Sequence, residues 1–206
     1  MDFKTAIDGL ESDHYFVWDD FLSQEEVTSV MVDYQSIYDR GEFKRASVGK
    51  GQLKKIRNEV RTDETYWLDP LALTPIQSLF WNRLDDVKSK INETLFLGLM
   101  TAEGHYSHYP IDGHYQKHID RFNTDDARTI SFLIYFNSKW AAGDGGELRV
   151  YDQASKNILT DINPSGGRLF GFMSADVPHE VLTTLKSRAS FAGWWKRRST
   201  TGNLKR

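Results

Sequence analysis

The chain has no cysteine among its 206 residues. This absence excludes disulfide bonds, thiolate metal ligands and a cysteine nucleophile. No apolar run approaches the roughly 18 residues of a membrane span, and the first residues lack the basic segment and apolar stretch of a signal peptide. The formal net charge is only −3, so no overall basic field favours nucleic acid as a partner. Together, these absences predict a cytoplasmic protein without membrane contact.

The first half of the chain carries helical signals. Ser23 and Glu26 form a capping-box pattern, and Thr74 precedes a proline at the first position of a second helix, which runs to about residue 93. Apolar residues follow each start at three- and four-residue spacing, which predicts two amphipathic helices with core-facing stripes. These stripes are Val27, Val30, Met31, Tyr34, Ile37 and Tyr38, and then Ile76, Phe80, Leu84, Val87 and Ile91.

From residue 97 the apolar period changes to two, and the segments become short. Turn signals rich in glycine, proline and aspartate separate them. Many short strands after two helices predict a β-sandwich or barrel that is braced by helices on one side. The predicted strands are 15–18, 97–109, 114–120, 129–137, 146–152, 167–174, 180–185 and 188–195.

A locally basic segment, residues 43–61, lies between the two halves. Gly49 and Gly51 flank Lys50, which indicates a loop over part of the segment. Two interpretations stay open for it: a solvated surface loop, or a mobile lid that meets a polar or acidic partner. Its basic residues are Lys44, Arg45, Lys50, Lys54, Lys55, Arg57 and Arg61.

The stretch HYQKHID, residues 114–120, offers two possible metal pairs. His114 and His118 would share a face of a helix, whereas His118 and Asp120 would share a face of a strand. The turn Asp112-Gly113 directly before the stretch favours the strand. We therefore expect His118 and Asp120 to point to one side, and His114 to lie near the rim of the pocket.

Two residues cannot complete a metal site, so a third ligand is needed. His179 follows a turn and opens a new strand, from which it can meet the pair across a barrel. Two imidazoles and one carboxylate are typical of non-haem Fe(II) oxygenases. The other histidines lack such a setting and are interpreted as polar side chains without a ligand role; they are His14, His105 and His108.

The residues around this pattern carry a more specific signal. HID is followed by TISFLIYFN, GDGGELRVYD, INPSGGRLFGF, PHEV, Arg188 and Trp194, in that order. This series resembles the 2-oxoglutarate- and Fe(II)-dependent prolyl 4-hydroxylase family, and in particular its oxygen-sensing members and their bacterial relatives. The resemblance covers about residues 100–195. It implies a mainly β (α+β) fold, with a double-stranded β-helix (jelly roll) core supported by N-terminal helices.

The resemblance also implies one domain and a role for each of eight residues. Residues 1–206 would form a single dioxygenase domain, with helical support and a lid loop in 1–96 and the jelly-roll catalytic core in 97–198. The implied roles are iron ligation for His118, Asp120 and His179, binding of 2-oxoglutarate for Arg188, Tyr135 and Tyr109, and a substrate-side position for Arg128 and Trp194.

Strand geometry supports the part given to Arg188. Arginine presents a flat, permanently charged fork that suits a buried carboxylate. Arg188, Ser190, Ala192 and Trp194 would share one strand face, and the two small residues would leave room for a ligand. Lys186 is the alternative partner for the carboxylate on the same face.

The implied activity is hydroxylation of a prolyl residue in a protein or peptide substrate. Fe(II), 2-oxoglutarate and O2 would take part, ascorbate would serve as reductant, and succinate and CO2 would be the co-products. A translation-machinery protein is one possible substrate, and nucleic acid is disfavoured. Two alternatives stay open: a hydroxylase of another amino acid or of a small molecule, and a non-catalytic binding module that retains the fold.

Overall fold

A computed structural model describes residues 2–47, 55–121 and 126–199. Over these ranges the chain forms three α-helices and eleven β-strands. The helices are α1 (Phe3–Ser12), α2 (Gln24–Asp39) and α3 (Pro75–Leu95). The strands are β1 (Tyr15–Trp18), β2 (Lys44–Arg45), β3 (Glu64–Trp67), β4 (Thr101–Tyr109), β5 (Tyr115–His118), β6 (Arg128–Tyr135), β7 (Leu148–Tyr151), β8 (Ile158–Ile162), β9 (Leu169–Met173), β10 (His179–Val181) and β11 (Arg188–Lys196).

The strands form two antiparallel sheets. The major sheet has seven strands in the order β1-β9-β6-β11-β4-β3-β2, and the minor sheet has four in the order β5-β10-β7-β8. Their inner faces enclose the smaller of two apolar clusters, in which β6 and β9 of the major sheet meet β7 and β10 of the minor sheet. The jelly-roll core predicted for this chain is confirmed.

The helices cover the outer face of the major sheet and bury the predicted stripes there. Both capping boxes are present, at Ser23 and at Thr74, and each satisfies free backbone N–H groups at a helix start. Aromatic side chains of β6 and β11 complete this core against α3, where Phe80 meets Phe191 at a ring-centroid distance of 5.1 Å. None of the described helices is long and apolar enough to cross a lipid bilayer.

Four elements are absent from the sequence-based prediction: α1, β2, β3 and β8. Helix α1 is short and contains Gly9, which lowers helix propensity; a side chain at this position would come within 2.7 Å of the Tyr15 carbonyl oxygen. Strands β2 and β8 have mostly exposed side chains, so they lack the apolar alternation that marks a half-buried strand. Because β1, β2 and β3 join the major sheet, the first 96 residues supply strands as well as helices.

Alternation along β11 and β6 sends neighbouring side chains to opposite faces of the major sheet. Phe191 and Trp195 belong to the core under the helices, whereas Arg188 and Trp194 line a cavity between the two sheets. The period of two in a strand produces this division. The candidate site therefore lies on the inner face of the same strands that anchor the helices.

Candidate active site

A cavity of about 1150 Å³ opens between the two sheets. It is lined by every predicted site residue except Tyr135, which packs directly behind it against Arg188. The three predicted metal ligands lie on its minor-sheet side, and Arg188 lies on its major-sheet side. The structure thus gathers the predicted residues in or directly beside one cavity, although they are spread over residues 109–194 of the chain.

The one cluster of potential metal ligands within the described part of the chain is formed by His118, Asp120 and His179, each of which offers one ligand atom within 4.8 Å of the other two. Nε2 of His118 lies 3.5 Å from Asp120 Oδ1, and Nε2 of His179 lies 3.9 Å from Asp120 Oδ2. The two histidines face each other across the paired strands β5 and β10, at register positions that are directly opposite. Two imidazole nitrogens and one carboxylate suit Fe(II).

Backbone carbonyls orient both imidazoles. Nδ1 of His118 lies 2.8 Å from the Gln116 carbonyl oxygen, and Nδ1 of His179 lies 3.0 Å from that of Val177. A carbonyl only accepts, so each Nδ1 carries the proton and each Nε2 keeps a lone pair for a metal. Burial lowers the pKa of His179 to about 4, which keeps its imidazole neutral at pH 7, as a ligand must be.

Asp120 lies in the bend after β5, not on the strand as the sequence pattern predicted. Two donors from the major sheet hold its carboxylate: Ser131 Oγ at 2.7 Å and Trp194 Nε1 at 3.0 Å, both to Oδ2. Burial opposes ionisation of Asp120, but the facing imidazoles of His118 and His179 and the hydrogen bond from Ser131 outweigh it and hold the pKa of this carboxyl well below its usual range. The carboxylate is therefore charged and fixed for a cation.

Arg188 is completely buried, at 0% exposure. Its Nη1 is 3.3 Å from Ser190 Oγ, but its Nε and Nη2 and the Tyr135 hydroxyl are enclosed without a hydrogen-bond partner among the described residues. Buried donors without partners are costly. The guanidinium lies 4.9 Å from the Tyr109 ring and 5.1 Å from the Tyr135 ring. Such donors suit a carboxylate, and the family resemblance implied that Arg188 and Tyr135 bind 2-oxoglutarate.

The opposite end of the cavity is aromatic. The Arg128 guanidinium lies 3.6 Å from the centre of the Trp194 ring and also pairs with Glu103 at 3.0 Å. Trp67 stacks against Trp194 with ring centroids 6.0 Å apart, and it is 49% exposed. Trp67 therefore marks the mouth of the cavity, and Arg128 and Trp194 lie next to it; the family resemblance implied a substrate-side position for these two residues.

Other sequence-based expectations have mixed outcomes. Lys186 forms an exposed ion pair with Asp144 and does not line the cavity, so it was wrong as an alternative carboxylate partner. The backbone of His114 bonds to Thr62, and its side chain is outside the metal cluster. Residues 48–54 of the basic segment lie outside the described residues, whereas Lys44 and Arg45 form β2 at the cavity edge.

The sequence analysis missed several residues of the cavity wall. His105 is only 4% exposed and lines the cavity between Trp67 and Trp194. It is a hydrogen-bonded polar side chain outside the metal cluster, as interpreted, but its place in the cavity wall was not predicted. Ser131, which donates a hydrogen bond to the Asp120 carboxylate, lies on the predicted strand 129–137, but this contact was not predicted. No local pattern marks either role, because the contacts join distant strands.

This chain is similar to one family model and to solved structures of prolyl hydroxylases. Residues 104–196 match the model of the 2OG-Fe(II) oxygenase superfamily. A prolyl-4-hydroxylase from Pseudomonas putida is 31% identical over 96% of this chain and 100% of its own, with a TM-score of 0.85. A Trichoplax adhaerens prolyl hydroxylase, solved with a hypoxia-inducible factor peptide, has the same fold at 22% identity, with a TM-score of 0.85 over 99% of this chain and 93% of its own.

A curated relative, the hypoxia-inducible factor prolyl hydroxylase of Caenorhabditis elegans, is 28% identical over 89% of this chain. The chain spans 26% of the length of that relative. The match to the superfamily model, at residues 104–196, spans the metal cluster and Arg188.

Proposed function

This chain belongs to the 2OG-Fe(II) oxygenase superfamily, and on that premise we propose that it is a prolyl 4-hydroxylase acting on a protein or peptide substrate. One observation carries the proposal: a His-Asp-His cluster and a buried arginine with unused donors line the same cavity. The first suits Fe(II), and the second suits the far carboxylate of 2-oxoglutarate.

His118, Asp120 and His179 are the proposed iron ligands. The oriented Nε2 atoms and the charged, doubly hydrogen-bonded carboxylate support this role. Arg188 and Tyr135 are proposed to hold 2-oxoglutarate, because their enclosed donors have no partner among the described residues. Tyr109 is proposed to wall the same pocket, since it lines the cavity beside the guanidinium.

Arg128 and Trp194 are the proposed substrate-side residues. They lie together near the mouth, where the half-exposed Trp67 ring adds an open aromatic surface. An open mouth suits a segment of polypeptide, and an aromatic wall suits the apolar face of a proline ring. The proposal extends to the domain: residues 1–206 act as one dioxygenase domain, with support and a lid loop in 1–96 and the catalytic core in 97–198.

The protein residues bind, orient and shield the reactants. When bound, Fe(II) with 2-oxoglutarate and O2 supplies the oxidising power that replaces a C–H hydrogen by hydroxyl, with succinate and CO2 as co-products. Ser131 and Trp194 hold the Asp120 carboxylate in place, and Arg188 neutralises a carboxylate deep in the cavity. The two sheets exclude water from the deep end.

The first test is turnover by the purified protein with Fe(II), 2-oxoglutarate and ascorbate, against a set of proline-containing peptides. We expect succinate to form and one oxygen atom to be added to a prolyl residue, as located by mass spectrometry. Oxygen added to another residue or to a small molecule would assign the alternative hydroxylase activity. His118→Ala should abolish turnover, and full activity in this variant would refute the metal assignment.

A second test separates an enzyme from a non-catalytic module. Fe(II) or Mn(II) with 2-oxoglutarate should raise the melting temperature, because a ligand that binds only the folded state stabilises it. No response at saturating concentrations would favour the non-catalytic alternative. The substrate protein itself, a translation-machinery protein among the candidates, would be sought by capture on an inactive variant. The cytoplasmic location remains a prediction, which cell fractionation would test.

A further inference from the structure

One metal-ligand imidazole is stacked face to face on a tyrosine. The Tyr115 and His118 rings are 3.7 Å apart between centroids and only 17° from parallel. Both residues belong to β5, three positions apart, so their side chains would ordinarily leave opposite faces of the strand. His179, by contrast, meets Phe172 edge-on at 4.6 Å and 63°. The flat contact therefore distinguishes His118 from its partner ligand.

An arginine covers the other side of the same tyrosine ring. The Arg61 guanidinium carbon lies 4.2 Å from the Tyr115 ring centre. The His118 ring already occupies one face at a shorter distance, so the guanidinium must lie on the opposite face. Arg61 is in turn fixed by two hydrogen bonds to Asp63, of 2.7 and 2.6 Å, and that carboxylate is almost fully buried. The result is a three-layer stack of Arg61, Tyr115 and His118, in which Asp63 holds the arginine in place.

The backbone fixes the stack at its base as well. Thr62 N donates to the His114 carbonyl oxygen at 3.1 Å, and Gln116 N donates to that of Val60 at 2.8 Å. Arg61 and Tyr115 are direct partners in this short antiparallel bridge. The segment before β3 therefore runs along the free edge of β5, which carries His118, and it brings the guanidinium over the tyrosine.

We propose that Tyr115 and Arg61 are positioning residues that hold the His118 ring in the orientation needed for metal binding. The inference rests on the proposed function, because it takes His118 as an iron ligand. The carbonyl bond to Nδ1 fixes one edge of this imidazole, but rotation about that bond is open until a flat surface blocks it. The tyrosine supplies this surface, and the arginine holds the tyrosine through a cation–π contact. A ligand ring that is already oriented loses less freedom on binding the metal.

The test is the affinity of the purified protein for Mn(II), followed by the EPR signal of the free ion. Tyr115→Leu keeps apolar bulk but removes the flat ring, and Tyr115→Phe keeps the ring. Arg61→Lys keeps a cation for Asp63, so the buried carboxylate stays paired, but it removes the flat fork. The matched control is Tyr151→Leu, because Tyr151 also has a cation, Lys117, 4.2 Å from its ring centre, but within the described chain its ring does not stack on a metal ligand.

We expect Tyr115→Leu to weaken Mn(II) binding about 10-fold, in the range for residues that orient a ligand. Arg61→Lys should weaken it about threefold, as expected for a single cation–π contact. Tyr115→Phe should restore wild-type affinity, and Tyr151→Leu should leave it unchanged. The melting temperature of the metal-free protein separates positioning from a purely structural role, because a structural role would lower it without this graded loss of affinity.

Two outcomes would overturn the inference: wild-type Mn(II) affinity in Tyr115→Leu, or an equal loss in Tyr115→Leu and Tyr151→Leu. Failure of the proposed function has a different signature. In that case the wild-type protein itself would bind no Mn(II), or His118→Ala would bind it as well as the wild type does.

Discussion

The two faces of the major sheet are made by alternate residues of the same strands, yet they bury different chemistry. The helix-facing side of β6 and β11 is aromatic and closed, with Phe132, Phe191 and Trp195 at or near zero exposure. The cavity-facing side buries polar groups equally deeply, including Arg188 and Ser190. Some of these polar groups have no partner within the described chain. One face therefore stabilises the fold, and the other gives up stability in order to bind ligands.

Phe191→Ala tests the helix-facing side and should have the largest effect on stability. Phe191 is fully buried against the rings of Phe80, Trp81, Tyr106 and Phe132. Its removal should lower the free energy of unfolding by about 3–5 kcal/mol, as for other buried phenylalanines. Urea unfolding measures this, and Mn(II) affinity of the folded protein should not change. A loss of Mn(II) affinity without a loss of stability would contradict the inference that this face stabilises the fold and the other face binds ligands.

Arg188→Met tests the cavity-facing side, where we expect a loss of ligand affinity without a loss of stability. The dissociation constant for 2-oxoglutarate, measured by calorimetry with Mn(II), should rise about 100-fold, because truncating one partner of a buried charged pair costs about 2–5 kcal/mol. Stability of the metal-free protein should hold or rise, because the variant removes buried donors without partners. Arg188→Lys, which keeps the charge, should lose less affinity. Wild-type affinity in Arg188→Met would refute the carboxylate pocket.

Strand alternation made this division readable from the sequence. Arg188, Ser190, Ala192 and Trp194 were predicted on one face, and all four line the cavity. A period of two is a local property, so a single strand reveals it. The capping boxes of α2 and α3 were equally local, and both are present. The jelly-roll arrangement was implied by the family resemblance, not by any one segment.

The contacts that complete the site could not be read in this way. Ser131 and Trp194 reach Asp120 over 11 and 74 positions of the chain. Arg61 covers Tyr115 only because the two sheets meet at that edge. Such contacts depend on strand order and register, and hydrophobic periodicity within a segment gives no information about either. The place of His105 in the cavity wall was not predicted for the same reason: its neighbours Trp67 and Trp194 come from two other strands.

The pH dependence of stability tests the polar face through His105. Burial lowers the pKa of His105 to about 4 from its ordinary value of 6.5, so the folded protein disfavours the protonated ring. The free energy of unfolding therefore has its full value above pH 6.5 and decreases as the pH falls towards 4, because only the unfolded chain binds this proton readily. Between pH 7 and pH 5 the loss should be about 2 kcal/mol. Urea unfolding of metal-free wild type and His105→Gln at both pH values isolates this term.

His179 has a similarly lowered pKa, but it is present in both proteins and cancels from their difference. If the wild type and His105→Gln lost the same free energy of unfolding between pH 7 and pH 5, His105 would not be a buried neutral group of the cavity wall. If His105→Gln lost less stability, by about the stated amount, the polar face would be confirmed as the more acid-sensitive of the two.

Lys186→Ala should have the smallest effect, and it defines where the site ends. Lys186 is two residues before Arg188 and so has the same strand parity, yet it precedes β11 and pairs with Asp144 at the surface. An exposed ion pair contributes about 0–1 kcal/mol, so urea unfolding should change by no more than this. The affinity for 2-oxoglutarate should equal that of the wild type. A loss comparable to that of Arg188→Met would mean that the carboxylate is bound from outside the buried face, which the enclosed guanidinium argues against.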